Sequence, residues 1–162
     1  MCDQTAATVQ PPWQSTAFPE MITRLSHVCL GTRDLEAMLA FYCDVLGCRI
    51  VHEFKNQRAE RYGAFLLVNH GTFLELFQDE AVEPHRGPFR HLCFEVDDIA
   101  HITHQMRARG FPVEVCRGRT DHVLQCWITD PDGNKVEFHQ YDEQAVQYPY
   151  RDRSEPHPVV SG

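Results

Sequence analysis

Residues 25–30 read Leu-Ser-His-Val-Cys-Leu, and residues 89–94 read Phe-Arg-His-Leu-Cys-Phe. Both stretches carry a His in the third position of an apolar, strand-like run, at His27 in the first copy and His91 in the second. An Asp follows each His seven positions later. An order of residue types that occurs twice at a nearly constant offset indicates two structurally equivalent modules within one chain.

The repeat also contains a Glu near the end of each copy, four residues after a Gly. Glu75 follows Gly71 and Glu137 follows Gly133 in this way. Polar residues in apolar strands are costly to bury unless they are paired or bind a metal. A His and a Glu at matching positions of both modules therefore predict a four-ligand metal site built by duplication, with structural polar pairs as the alternative. The predicted ligands are His27, Glu75, His91 and Glu137.

Length and charge restrict the class of protein. The 162 residues are about one domain's worth, and the net charge of -8 argues against binding to nucleic acid or to an acidic membrane surface, since both attract a basic surface. The 7 cysteines form no C-x-x-C pair, which favours reduced thiols over a disulfide framework. The sequence shows neither a signal-peptide pattern nor a long apolar run, so we expect a cytoplasmic protein.

The spacing of apolar residues predicts a β-α-β-β-β order in both modules. In module one a helix is expected from Asp34, a good N-cap residue, to Gly47, a good stop, with its apolar residues on one stripe. In module two the corresponding helix spans 99–109, between Asp98 and Gly110. The expected fold class is α+β, with two tandem βαβββ modules that form a cup-shaped mixed sheet around a metal site. The predicted strands are 23–32, 49–55, 62–69, 72–78, 89–96, 112–117, 123–129 and 134–141.

The ends of the chain are rich in Pro and polar residues and are expected to lie outside the folded body. An arm that packs on a partner subunit is the alternative, given the aromatic residues Trp13, Tyr148 and Tyr150. The predicted divisions are an N-terminal arm 1–21, a body 22–141 made of module one 22–79, a linker 80–88 and module two 89–141, and a C-terminal tail 142–162.

Strand alternation predicts which way the acidic candidates point. Glu75 shares a strand face with Phe73 and Phe77, opposite to Leu74 and Leu76. The purely aliphatic face suits packing against helices, so the face that carries the Glu turns away from them. The same alternation holds in the second module. We therefore expect both His and both Glu to face one cavity.

The sequence resembles the vicinal oxygen chelate superfamily, which includes glyoxalase I, methylmalonyl-CoA epimerase, extradiol dioxygenases and bleomycin-resistance proteins. The resemblance covers about residues 22–141 and is carried by Leu-Ser-His-Val at 25–28, by the run 34–47, and by Asp-Pro-Asp-Gly-Asn-Lys-Val-Glu at 130–137. It implies paired modules around one divalent metal per site, with the four residues named above as ligands, and a homodimer. The metal would be nickel, cobalt, zinc, manganese or iron.

Glu75 decides which members the chain resembles in its ligand set. Glyoxalase I has a Glu at this position, whereas the epimerase typically has a Gln and the extradiol dioxygenases lack a Glu there. The resemblance therefore implies a metal-dependent lyase or isomerase similar to lactoylglutathione lyase. In such an enzyme a metal-bound carboxylate, Glu75 or Glu137, takes a proton from the carbon beside a metal-polarised carbonyl, or from a hydroxyl-bearing carbon, by way of an enediolate.

Two positions depart from glyoxalase I. Gly31 stands where the bacterial enzyme has an Arg that helps to hold the glutathione carboxylate, and Asp79 stands where an Asn is usual. A glutathione substrate is therefore not supported residue by residue. A metal-independent small-molecule binding or resistance protein, and a ring-cleaving dioxygenase or an epimerase of the same superfamily, remain alternatives.

Other polar residues could contact a small-molecule substrate, including an anionic one. Basic loop residues either hold a carboxylate or phosphate at the rim of the cup or are simply solvated charges. Among the additional histidines His139 is the best candidate, because it shares a strand face with Glu137. Cys29 and Cys93 are interpreted as small core residues. The remaining candidates are Lys55, Arg58, Arg61, Arg117, Arg119, His52 and His122.

Overall fold

The protein consists of two tandem βαβββ modules, each with its own four-stranded mixed sheet, so the predicted α+β class is confirmed. The computed structural model describes residues 24–69, 71–83 and 88–148. Module one contains β1 His27–Thr32, α1 Leu35–Leu39, a π-helical segment Ala40–Val45, β2 Arg49–Lys55, β3 Arg61–Asn69 and β4 Thr72–Gln78. Module two contains β5 His91–Glu95, α2 Ile99–Ala108, β6 Cys116–Arg117, β7 Leu124–Thr129 and β8 Lys135–Gln140.

The sheet topology brings the first and the last strand of each module together. The strand order is β1-β4-β3-β2 in module one and β5-β8-β7-β6 in module two. In both sheets the first and last strands pair in parallel, with Cys29 opposite Glu75 and Cys93 opposite Glu137. Each predicted His therefore lies one strand away from the predicted Glu of its own module.

Both helical regions begin directly after the predicted N-cap residues and end shortly before the predicted glycine stops. The side chain of Asp34 accepts a hydrogen bond from the amide of Ala37 at 3.0 Å, and Asp98 accepts one from His101 at 2.9 Å. These side chains satisfy amide groups that have no partner within the first helical turn. Gly47, with a φ of 79°, follows the first helical segment, and its left-handed backbone favours glycine.

The single helix predicted over 34–47 is in fact a short α-helix that continues as a π-helix. The amide of Leu46 donates to the carbonyl of Phe41 at 3.2 Å, which closes the wider turn. Two consecutive aromatic residues of this segment, Phe41 and Tyr42, are both buried in the core. The spacing of apolar residues does not distinguish a π-helical turn from an α-helical one, so periodicity alone could not predict this arrangement.

These two aromatic residues connect module one to module two. The Phe41 ring packs edge-on against Phe111 with centroids 6.1 Å apart. The Tyr42 hydroxyl, which is completely buried, donates a hydrogen bond of 3.0 Å to the carboxylate of Asp130. Burial, and then the charge of Asp130, raises the pKa of Tyr42 well above its usual range.

The strand predicted over 112–117 is reduced to Cys116–Arg117. Pro112 lacks the N–H that a ladder requires. The carbonyl of Val113 instead accepts a hydrogen bond from Nε of Arg107 at 2.9 Å. The Arg107 side chain thus supplies the hydrogen bond that a neighbouring strand would otherwise donate to this carbonyl.

Part of the predicted C-terminal tail packs on module two. Asp142 forms an ion pair of 2.7 Å with Arg117, and Ala145 is buried. The amide of Val146 donates to the carbonyl of Asp121 at 3.0 Å. The N-terminal arm, the linker residues 84–87, and Trp13 and Tyr150 lie outside the described residues.

The core lies on the aliphatic faces of the two sheets, as alternation predicted. Leu66, Leu74 and Leu76 in module one, and Val136 and Phe138 in module two, are buried against the helices. None of the helices in the described part of the chain is long and apolar enough to cross a membrane. The opposite sheet faces carry the predicted ligands.

Candidate metal centre

In module one, parallel pairing of β1 with β4 brings His27 beside Glu75. Nε2 of His27 lies 3.8 Å from Oε2 of Glu75. The Glu75 side chain is 15% exposed, so it is accessible from the sheet face. Burial, followed by a hydrogen bond to Glu75, raises the pKa of the neighbouring Cys29 thiol to about 11. The thiol is therefore a donor to this carboxylate rather than a thiolate.

An aromatic cluster continues from this pair across the face of module one. The Phe65 ring packs edge-on against His27 with centroids 5.5 Å apart, and Phe54 lies 5.6 Å from Phe65. Phe77 lies 5.0 Å from Phe54 and stacks on Tyr62 at 5.9 Å. We call Phe54, Tyr62, Phe65 and Phe77 the aromatic face. It offers flat apolar contact area directly beside a His–Glu pair.

In module two, parallel pairing of β5 with β8 brings His91 beside Glu137. Nε2 of His91 lies 3.2 Å from Oε2 of Glu137, and the Trp127 ring packs edge-on against His91 at 5.0 Å. The Glu137 side chain is only 5% exposed. A buried carboxylate requires partners that offset its lost hydration, and His91 is one of them.

A third titratable side chain, His139, contacts the same carboxylate. Nε2 of His139 lies 2.9 Å from Oε1 of Glu137. The ring is not oriented for a hydrogen bond, however, and among the described residues neither of its nitrogens has a partner of good geometry. His139 is only 8% exposed. A buried imidazole without a well-aligned partner is unusual in a folded protein.

Cys93 completes a cluster with Glu137 and His139. One ligand atom from each residue lies within 4.8 Å of the other two. Cys93 is exposed when all its atoms are counted. Burial of its thiol, followed by the negative charge of Glu137, raises the pKa of that thiol to about 12. The interpretation of Cys93 as a small core residue missed this cluster. Alternation could have found it, because Cys93 and His91 share one face of β5.

The structure places the four predicted ligands as two separate pairs on two different sheets. Within residues 24–69, 71–83 and 88–148, Cys93, Glu137 and His139 are the one group of three candidate ligands within 4.8 Å of one another. A single chain therefore does not bring both pairs to one point. The common site for all four residues stays a prediction.

A cleft of about 1220 Å³ between the modules lies elsewhere. It is lined largely by apolar side chains such as Leu46, Phe94, Ile102 and Met106 and contains none of the four predicted ligands. Cys93 also lines this cleft, but Glu137 and His139 do not, so its size alone does not make it the functional site.

The basic residues considered as substrate contacts are mostly engaged in ion pairs. Arg61 contacts Glu36 and Glu53, each at 2.6 Å, and Lys55 contacts Glu53 at 2.7 Å. In module two Arg117 is paired with Asp142, as described above. These contacts favour a structural role for Lys55, Arg61 and Arg117 over anion binding.

Comparison with known proteins identifies the family. The model of the glyoxalase/bleomycin resistance protein/dioxygenase superfamily matches residues 24–138. The chain belongs to this superfamily. Its relatives include a virulence protein of Salmonella typhimurium, 32% identical over 75% of this chain and 86% of the relative, and a lactoylglutathione lyase of Haemophilus influenzae, 30% identical over 71% and 90%. Among solved structures, the lactoylglutathione lyase from Agrobacterium tumefaciens superposes with a TM-score of 0.59 at 24% identity, over 75% of this chain and 96% of that one.

Proposed function

We propose that the protein is a divalent-metal-dependent lyase or isomerase of the glyoxalase type, with His27, Glu75, His91 and Glu137 as the metal ligands. The observation that carries the proposal is that both modules place a His next to a Glu on the sheet face that turns away from the helices. The donor set fits the metal. Two neutral imidazoles and two carboxylates balance the charge of a divalent ion and suit nickel, cobalt, zinc, manganese or iron.

The two pairs would form one site if module one of one chain faced module two of a second copy. We therefore include a homodimer in the proposal. Leu25 and Phe89 support it, because they stand two residues before the two histidines and are exposed hydrophobic residues at equivalent positions. Exposed apolar side chains next to a half-complete polar site are typical of a surface that another molecule covers.

Glu75 is the better candidate for the general base. Glu137 is held by His91 at 3.2 Å and by His139 at 2.9 Å, whereas the one ion-pair partner of Glu75 among the described residues is His27 at 3.8 Å. Glu75 is also the more exposed carboxylate. A weakly held carboxylate can turn towards substrate, so Glu75 would take the proton and Glu137 would stay a fixed ligand.

The proposed reaction is a redox-neutral proton transfer. Glu75 takes a proton from a hydroxyl-bearing carbon beside a carbonyl, and the electron pair of that C–H bond moves towards the carbonyl oxygen to give an enediolate. The protonated carboxyl then returns the proton to the former carbonyl carbon. The hydroxyl proton passes to the former carbonyl oxygen, so the carbonyl and the alcohol exchange places with no change in overall oxidation state. When bound, the metal would supply a Lewis acid that stabilises negative charge on the substrate oxygens.

The surroundings of Gly31 argue against the glutathione contact of glyoxalase I. A Cβ at Gly31 would lie 3.2 Å from Cγ2 of Val82 and 3.4 Å from Cβ of Asp79. A side chain at this position would require Val82 and Asp79 to give way by a few tenths of an ångström, and no Arg stands there. We therefore propose a substrate other than a glutathione conjugate, with adjacent oxygens that reach the metal.

A metal-independent binding protein is the second candidate. The aromatic face favours it, because partly exposed aromatic rings can hold a flat apolar ligand by stacking. In that case neither Glu would be needed for activity, and ligand affinity would depend on Phe54 and Tyr62.

The first experiment is elemental analysis of the purified protein after dialysis against a weak chelator. We expect about one transition metal ion per chain, and its loss in His91→Ala. His104→Ala is the matched control, because His104 is exposed on α2, away from the site. Metal-free protein that also fails to bind added nickel, cobalt, zinc or manganese would refute the enzyme proposal.

The second experiment separates the two carboxylates. Glu75→Gln is expected to retain metal but to lose exchange of the substrate proton with solvent, whereas Glu137→Gln is expected to lose both. Circular dichroism of each variant checks that it is folded. Full activity in both variants would show that carboxylate-base chemistry is wrong.

A further inference from the structure

One difference between the two modules, on the sheet face that carries the predicted ligands, concerns His139. His91, Cys93 and Glu137 have equivalents of the same residue type in module one. His139 has none, because the equivalent residue is Phe77, a member of the aromatic face. The face of module two is therefore richer in metal donors than the face of module one.

The distances in module two are close to those of a metal site. Candidate atoms of Cys93, Glu137 and His139 lie within 4.8 Å of one another. In a tetrahedral zinc site with bonds of about 2.0–2.3 Å, ligand atoms are about 3.3–3.8 Å apart. The separations in module two are at most 4.8 Å, about 1 Å above that spacing, and the 2.9 Å between His139 and Glu137 is slightly below it, so small side-chain movements would bring the three atoms around one ion. Nε2 of His91, 3.2 Å from Glu137, is the nearest further donor.

The state of His139 is the independent observation that points to a ligand. It is more than nine-tenths buried, and in the described part of the chain neither ring nitrogen has a hydrogen-bond partner of good geometry. Its Nε2 nevertheless lies only 2.9 Å from Oε1 of Glu137. A buried imidazole this close to a carboxylate and without an aligned hydrogen bond is a position that a metal ion would satisfy.

We infer that module two binds a metal ion on its own, through Cys93, Glu137 and His139, with His91 as the fourth donor. The combination of one sulfur, two nitrogens and one oxygen suits a thiophilic divalent ion such as zinc, cobalt or cadmium. On binding, the ion takes the place of the thiol proton, which is released to solvent. This site needs no residue of module one and no second copy of the chain. Because it uses Glu137 and His91, which also belong to the four-ligand site proposed above, a chain holds an ion at one of the two sites at a time, and the module-two site is the one open to a chain without its partner.

Cobalt(II) gives a direct test, because a cobalt–thiolate bond produces charge-transfer absorption in the near ultraviolet. The wild-type chain, fully reduced, is titrated with cobalt(II) and followed by absorption. We expect about one ion per chain with a thiolate band. Cys93→Ser is expected to lose the band, while Cys29→Ser, the equivalent change in module one, is expected to keep it.

A second variant tests His139 without introducing a foreign residue. His139→Phe places the module-one residue at the module-two position and is expected to weaken cobalt binding by roughly tenfold or more. Circular dichroism shows whether this variant is folded. Unchanged affinity in folded His139→Phe, or a thiolate band that survives in Cys93→Ser, would overturn the inference.

Changes in module one separate this site from the proposed catalytic one. If module two binds alone, His27→Ala and Glu75→Gln keep both the stoichiometry and the thiolate band. Cobalt that binds without a thiolate band and is lost in His27→Ala would refute the module-two site and support the four-ligand site. A thiolate band together with full catalytic activity in Glu75→Gln would support the module-two site and refute the proposed role of Glu75 as the general base.

Discussion

Replacement of Tyr42 by Phe tests how the two modules are held together. The change removes one buried hydroxyl, which donates to Oδ2 of Asp130 at 3.0 Å, and leaves the ring in place. Hydrogen bonds to charged groups contribute about 1.5–3 kcal/mol. Oδ2 of Asp130 keeps a second donor, Nδ2 of Asn134 at 3.0 Å, so the cost is expected at the lower end, about 1.5 kcal/mol.

The assay is urea unfolding followed by circular dichroism, with thermal unfolding in parallel. For a chain of this size, a loss of about 1.5 kcal/mol lowers Tm by roughly 3–6 °C. Tyr148→Phe is the control, because Tyr148 is exposed, and its effect is expected to stay within about 0.5 kcal/mol. A double-mutant cycle with Asp130→Asn is expected to show a coupling of at least about 0.5 kcal/mol.

Two results would contradict this reasoning. One is a Tyr42→Phe variant within about 0.5 kcal/mol of the wild type. The other is strict additivity of Tyr42→Phe and Asp130→Asn, which would mean that the two groups do not interact in solution. Either result would leave the ring packing of Phe41 against Phe111 as the main connection between the modules.

Three further predictions concern the stability of individual modules. Gly63→Ala would place a Cβ 2.3 Å from Cδ1 of Phe77, so we expect a loss of about 1–3 kcal/mol in urea unfolding, and unchanged stability would contradict the packing. Asp98→Ala removes the N-cap of α2 and is expected to cost about 1 kcal/mol by the same assay. The hydrogen bond from Arg117 lowers the pKa of Asp142, so its contribution is present above the ordinary value of 3.8 and is lost as the pH falls through the lowered pKa. The free energy of unfolding of the wild type should therefore exceed that of Asp142→Asn at pH 6, and the difference should disappear in acid. A difference that grows in acid would contradict the lowered pKa of Asp142.

Local signals in the sequence predicted most of the fold. The duplicated pattern, the caps Asp34 and Asp98, and the stops at Gly47 and Gly110 depend on short-range interactions, and the structure agrees with them. The π-helix at Ala40–Val45 could not be predicted in this way. It depends on what Phe41 and Tyr42 meet in the other module, which no periodicity within one helix encodes.

The candidate site was predictable within each module and not between them. Strand alternation correctly placed His27 and Glu75 on one face, and likewise His91 and Glu137, because side chains alternate strictly along a strand. The relative position of the two sheets depends on packing between modules, for which the sequence holds no comparable local rule. Alternation also places Cys93 on the face of His91, but the proximity of Cys93 to Glu137 and His139 depends in addition on the register between β5 and β8.

The parallel pairing of the first and last strands makes metal binding depend on complete folding of the module. His27 and Glu75 stand at opposite ends of module one in sequence, and they meet only when β1 and β4 have paired. Each His–Glu pair is thus absent from any partly folded chain that lacks this last contact. A metal ion would bind almost exclusively to the completed module, so that saturating metal should slow unfolding and protect the chain from proteolysis. Bound metal would therefore stabilise the folded module selectively over its partly folded forms.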